Sequence, residues 1–176
     1  NLALCVHPEM EYCKVKEAES GNIFYVMKAR AFGKGCLYSP KQLAAGVAEI
    51  IETFPGKDMV GKKYTPLFDY FKSTHGETAW RVISDTYVTD ESGFGIVHQA
   101  PAFGEDDYRV CIREVIATVS DVPCPVDDSG KFTSKVPEWQ GRHIKDADKD
   151  IIAHLKERGR LVSEGTLTHR DAFCWR

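Results

Sequence analysis

The chain has 176 residues, 43% of them hydrophobic, which is enough for one globular domain with its own core and asks for no second one. Its net charge of −3 and pI near 6.1 exclude the basic footprint by which a protein grips a nucleic-acid duplex through its phosphates. No apolar run approaches the roughly 20 residues that cross a bilayer, and Asn1-Leu2-Ala3-Leu4 has neither the Met nor the basic region of a signal peptide, so no membrane partner is expected and the start reads as a boundary inside a longer protein.

Leu2 to Val6 alternates as a strand does, and Tyr12 to Val15 and Ile23 to Met27 follow as two more, joined by a hairpin turn at Ser20-Gly21-Asn22. Gly33-Lys34-Gly35 is too short for a phosphate loop and reads as a turn. Ser39 then Pro40 has the pattern of an N-cap and first helical residue. Leu43, Ala44, Val47, Ala48 and Ile51 continue it as an apolar stripe, so the spacing predicts one helix ending before Pro55-Gly56. Val82 to Val88 and Gly95 to His98 read as further strands, with most connections suggesting antiparallel pairing. After Pro101 stops the last strand, a helix is predicted to open at Gly104 and Glu105, with Tyr108, Cys111, Ile112 and Val115 as its buried stripe. Asp127-Asp128-Ser129-Gly130 reads as a turn, because no glutamate falls at the twelfth position that a calcium loop requires. A last helix is predicted from about Asp146 to Arg158, with Ala147, Ile151 and Leu155 four residues apart, Asp146, Asp148 and Asp150 in its solvated first part, and Gly159 ending it.

Cys5, Cys13, Cys36, Cys111, Cys124 and Cys174 include no Cys-x-x-Cys pair and are expected to be reduced. His7, His75, His143, His154 and His169 are scattered without ligand spacing, so no bound metal is expected.

The segment from Gly95 to Tyr108 concentrates the chemistry. Its strand end delivers His98 and the following helix start delivers Asp106 and Asp107 to roughly one rim. A neutral imidazole can donate to an ester or hydroxyl oxygen, and a carboxylate can hold an ammonium by a charge-assisted hydrogen bond, which suits an α-amino ester. The bland readings stay open at this point: acids opening a helix commonly serve its dipole, and a lone histidine after two apolar residues is commonly structural. No Gly-x-Ser-x-Gly elbow is present and no cysteine adjoins a histidine, so a direct attack by water is simpler than a covalent route.

The gap-free run from Gly95 through Val110 resembles the signature segment of the editing domain inserted in isoleucyl-tRNA synthetases, particularly the eukaryotic cytoplasmic kind. The run from Val60 to Phe71, the group Cys124-Pro125-Val126-Asp127 with Gly130 and Phe132, and the closing Phe173-Cys174-Trp175-Arg176 resemble that family's segments too, so the likeness covers nearly the whole chain. The valine and leucine relatives share the fold and an acid matching Asp107 but lack His-Gln-Ala-Pro-Ala-Phe-Gly between strand and helix, so His98 and Phe103 favour the isoleucine enzyme. The family's Gly-Thr-Gly appears here as Gly93-Phe94-Gly95.

The resemblance implies an α+β fold, a barrel-like, mostly antiparallel sheet surrounded by helices, forming one editing domain over 1–176. It implies a piece of a larger synthetase whose threonine-rich strand lies just before Asn1. It further implies hydrolysis of valine from the isoleucine tRNA, with Asp107 and His98 as the catalytic candidates. Asn1, Val97, Gln99, Ala102, Phe103 and Asp106 are the substrate-binding candidates. The implied partners are the 3′ end of that tRNA and the rest of the synthetase chain, in a cytoplasmic monomer. No cofactor is implied for this domain, ATP and magnesium belonging to the synthetic domain. A module that binds the tRNA 3′ end without catalysis is the competing expectation.

Overall fold

The computed structural model describes residues 1–165. The expectations placed on His169 and on Phe173 to Arg176, Cys174 included, lie outside the described residues. The chain forms two compact units, Asn1–Cys124 and the part from Pro125 onward.

The first unit contains two three-stranded sheets. Strands β1 (Ala3–Val6), β2 (Glu11–Glu17) and β3 (Ile23–Met27) are followed by a short helix α1 (Pro40–Ala44), strand β4 (Ala48–Pro55) and a single-turn helix α2 (Lys72–His75). Strands β5 (Val82–Ser84) and β6 (Ile96–Gln99) precede helix α3 (Glu105–Arg113). One sheet has the order β5-β1-β6, with β1 parallel to β5 and antiparallel to β6. The other has the order β3-β2-β4 and is wholly antiparallel. These two open sheets replace the predicted barrel: the mixed α+β composition and the mainly antiparallel pairing hold, but no closed barrel forms among the described residues. In the second unit, α4 (Ile144–Glu157) is preceded by a hydrogen-bonded turn in which Asp127 Oδ1 accepts from the Ser129 and Lys131 amides.

The long helix expected after Ser39 is the main correction. Its start is as predicted, since Ser39 and Gln42 form a reciprocal capping box with Pro40 in the first turn. It stops at Ala44, the chain reverses at Gly46, and the remaining apolar positions enter strand β4. The residues that followed helical spacing, Val47, Ala48 and Ile51, lie in a stretch whose Ile50, Ile51, Thr53 and Phe54 suit a pleated surface, and pairing with β2 decides the outcome. The strand predicted through Val88 ends instead at Ser84, because Asp85 turns its carboxylate onto the Tyr87 amide at 3.0 Å and breaks the ladder.

The larger core of the first unit draws on both sheets and on α3: Val6, Tyr12, Met27, Ile83, Val110 and Ile116 are among its fully buried members. Tyr12 ties the sheets together, its hydroxyl donating to the Gly95 carbonyl at 2.6 Å and accepting from the His7 amide at 2.9 Å. Gly95 sits at φ 73° with no room for a side chain, since a Cβ there would lie 2.3 Å from that of Met27. This contact brings the entrance of β6 hard against β3.

Candidate functional site

Alternation along β6 decides which of its residues face outward. His98 is exposed, Ile96 and Val97 are half-buried, and Gln99 is fully buried. The His98 imidazole makes no hydrogen bond among the described residues, which leaves both ring nitrogens for a ligand. It lines a cleft of about 350 Å³ whose walls also include Tyr87, Val88, Phe94 and Val97.

The loop after β6 is closed by two bonds. The Phe103 amide donates to the Ala100 carbonyl, and the Ala100 amide donates to Asp107 Oδ2, both at 2.9 Å. Helix α3 then starts at Gly104, which has extended backbone and no side chain with which to cap. Glu105, Asp106 and Asp107 occupy the first turn, where the helix dipole favours negative charge. Asp107 is half-buried and folds back over Gly104, so that a Cβ on that glycine would lie 2.9 Å from the Asp107 carboxyl carbon. One carboxylate oxygen is thereby fixed on the Ala100 amide, while Oδ1 makes no hydrogen bond among the described residues.

Asp107 does not line the His98 cleft. The two residues are linked through the backbone, His98 standing two positions before the amide that Asp107 holds. Tyr87 lines the cleft beside His98, and burial pushes its hydroxyl pKa well above the ordinary tyrosine value. Burial likewise pushes the Cys111 thiol up to about 12, with Asp107 adding.

The other predicted ligands are distributed unevenly. Gln99 faces the core, its side-chain amide donating to the Tyr87 hydroxyl at 2.6 Å and to the Val97 carbonyl at 3.2 Å, while its Oε1 has no partner among the described residues. It thus buttresses the Tyr87 wall of the cleft. Asp106 is exposed and paired with Arg109 at 2.8 Å. Phe103 is 60% exposed and Ala102 half-buried, both on the loop. Asn1 accepts from Tyr64 Oη at 3.1 Å through its side chain and from Trp80 Nε1 at 3.3 Å through its carbonyl.

The predicted stripe of α3 is partly wrong. Val110 and Cys111 face the core, with Ile116 beyond the helix, whereas Tyr108 is exposed and Val115 is 62% exposed at φ 55°, outside the helix. The register turns by one position because Arg109 and Arg113 point to Asp85 at the end of β5. Their i, i+4 spacing was the available signal, together with the i, i+3 pair of Asp106 and Arg109. Nothing local in the sequence marks Asp85 as their partner or Tyr87 as a wall of the cleft.

No protein-family model matches the chain. Among solved structures it is similar to the one described as the crystal structure of GlLeuRS-CP1, with a TM-score of 0.59 at 14% identity, covering 94% of this chain and 79% of that one, a likeness of fold alone. Together with the strand, loop and acidic helix start described above, that likeness places the chain among mixed α+β domains with the fold of that structure. Over its whole length the chain is 50% identical to the cytoplasmic isoleucine–tRNA ligase of Mus musculus, 44% to that of Arabidopsis thaliana and 43% to the isoleucine–tRNA ligase of Bdellovibrio bacteriovorus. The chain thus matches, along its whole length, a segment of isoleucine–tRNA ligases that spans 14% to 17% of the length of these relatives.

Proposed function

We propose that this domain hydrolyses the ester between valine and the terminal adenosine of isoleucine tRNA, within a cytoplasmic isoleucine–tRNA ligase. The need for such a site follows from the chemistry of selection. A pocket shaped for isoleucine gains only about 1–3 kcal/mol from one methylene, a limit for which isoleucine against valine is itself the standard case, so a second and smaller sieve must remove what the first lets through.

The observation that carries the reading is the Asp107 carboxylate, fixed through Oδ2 on the amide of Ala100, two residues after an exposed His98, with Oδ1 and the His98 imidazole making no hydrogen bond among the described residues. Oδ1 accepts from the α-ammonium of the valyl group and so fixes the ester by a charge-assisted bond. His98 stands beside the ester and ribose hydroxyls, orienting the substrate or the attacking water and crowding a larger side chain. Water adds to the ester carbonyl, the bond from that carbon to the ribose oxygen breaks, one proton of the water goes to the ribose oxygen and the other to solvent, and valine leaves as its carboxylate. Asn1, Val97, Ala102, Phe103 and Asp106 are the proposed surroundings of the substrate. Gln99 serves through Tyr87.

Only the unpaired end of the tRNA needs to reach this domain, which is consistent with its net charge of −3; stacking and a few polar contacts suffice for a short single strand. The rest of the synthetase holds the tRNA body, and ATP and magnesium serve activation there. No helix among the described residues is long and apolar enough to cross a membrane. The competing reading is a non-catalytic module for the tRNA 3′ end, favoured by the bulky Phe94 on the wall of the cleft.

Release of valine from valyl-tRNA specific for isoleucine, by full-length enzyme carrying this domain, separates the two. Valine should be lost quickly while isoleucyl-tRNA persists, and Asp107→Ala should slow the loss at least about a hundredfold. Equal persistence of both esters with the unsubstituted enzyme would leave the binding module.

A further inference from the structure

Helix α3 is gripped from both edges of one sheet. On the β6 side, Asp107 at its first turn holds the Ala100 amide at 2.9 Å. On the β5 side, Asp85 holds its middle and end. The Asp85 side chain is only 7% exposed, yet it accepts from Arg109 Nη1 at 2.9 Å, Arg109 Nη2 at 3.2 Å and Arg113 Nη1 at 2.6 Å, besides the Tyr87 amide at 3.0 Å. Arg113 adds a bond from Nη2 to the Ser84 carbonyl at 2.6 Å, and Arg109 passes the connection on to Asp106 at 2.8 Å, the residue before Asp107. Because β5 and β6 flank β1 in the order β5-β1-β6, the helix bridges the two edges of the sheet, with one carboxylate anchor at each.

An exposed pair of this kind would contribute little. This one has a buried acceptor and a two-pronged guanidinium, the geometry in which charge-assisted bonds fix orientation as well as energy. The Arg109 bonds, and then those of Tyr87 and Arg113, hold the Asp85 carboxyl well below the usual carboxylate range, so it stays charged at neutral pH. A helix free to slide or turn on its β5 side would carry the unbonded Oδ1 of Asp107 with it, and misplacement by about 1 Å is enough to cost on the order of a hundredfold in a reaction that depends on positioning.

We propose that Asp85 is a positioning residue for the hydrolysis: through Arg109 and Arg113 it sets the placement of α3, and with it the carboxylate of Asp107. This rests on the assignment of Asp107 as the ammonium anchor. It gives the Asp85 side chain, which touches no substrate, a role in the rate of the reaction beyond holding the fold.

The test is steady-state deacylation of valyl-tRNA by full-length enzyme carrying Asp85→Asn, Asp85→Glu, Arg109→Gln or Asp107→Ala. Isoleucine aminoacylation and a thermal melt are measured alongside. Asp85→Asn should lower kcat about tenfold with KM for the charged tRNA unchanged, Asp85→Glu should recover part of that loss, and aminoacylation should stay at the unsubstituted level. Arg109→Gln leaves Arg113 on Asp85, so it keeps the fold and should lower kcat by a smaller factor. Unchanged kcat in both Asp85→Asn and Arg109→Gln would overturn the proposal, as would losses that track the melting temperature and disappear on cooling. If Asp107→Ala retains full deacylation, the anchor assignment itself fails. If Asp107→Ala is inactive while Asp85→Asn is unimpaired, only the positioning role fails.

Discussion

Gly104 has no side chain because the Asp107 carboxyl group occupies the volume a Cβ would take. Its backbone is extended, which any residue adopts, so the constraint is one of contact and not of strain. Gly104→Ala should therefore leave the fold intact, at a cost of about 1 kcal/mol for a poorer cap, while pushing Asp107 off the Ala100 amide. Valyl-tRNA hydrolysis should fall about tenfold, and a rate equal to that of the unsubstituted enzyme in a deacylation assay would show that the placement of Asp107 does not matter. At this scale the sequence is informative where placement is written locally: His98 at the strand end and Asp107 in the first helical turn stand nine residues apart in one run, and both placements are legible in it. Gln99 was legible as a residue of that run, but its inward orientation depends on the pairing of β6 with β1, which the run does not contain. Asp85 and Tyr87 escaped for the same reason, since their partners come from other elements.

Elements were legible in proportion to how local their causes are. The α4 boundaries, Ile144–Glu157 against an expected Asp146 to Arg158, and the β3 boundaries follow from periodicity and turn chemistry alone. The α1 cap was also local, but helical spacing beyond Ala44 was a coincidence of apolar residues that the β2 partner then claimed for a strand. Helix α3 illustrates the opposite case, in which charge sets the facing of a helix. Its clamp has a definite acid limit. Asp85 has a folded-state pKa depressed below the unfolded value of about 3.9, so its stabilisation is full above that value and is lost as pH falls through the folded-state pKa. Urea unfolding at neutral pH should find Asp85→Asn less stable by on the order of 2 kcal/mol, a figure reduced by the half-exposed arginines. The gap to the unsubstituted protein should close progressively below about pH 4, and a gap that is constant down to pH 2 would exclude the ion-paired carboxylate as its source.

At the scale of the whole first unit, the two open sheets meet through the Tyr12 hydroxyl on Gly95 and the Met27 amide on the Phe94 carbonyl and not through a continuous ladder, so the barrel expected from resemblance does not close. Their shared core encloses Cys5 and Cys111, and a smaller cluster with Val15 and Val26 encloses Cys13, thiols that can report on the integrity of both. Burial pushes Cys5 up to about 12 and Cys13 up to about 11, as it does Cys111, so all three remain protonated and unreactive at pH 8. An alkylating reagent at that pH should modify Cys36, which is only half-buried, and reach these three at the rate of unfolding in denaturant. Labelling of Cys5 as fast as Cys36 in the native protein would mean that the core opens on its own.

The parallel pairing of β1 with β5 also bears on the order in which the molecule can be built. Ala3–Val6 finds its two neighbours only when Val82–Ser84 and Ile96–Gln99 exist, the whole second sheet lying between. At about 5–20 residues per second of synthesis, the strand at the centre of the site-bearing sheet must wait several seconds or more beside the ribosome with both edges unpaired. Its apolar Leu4, Cys5 and Val6 are then the segment most in need of shielding by a chaperone.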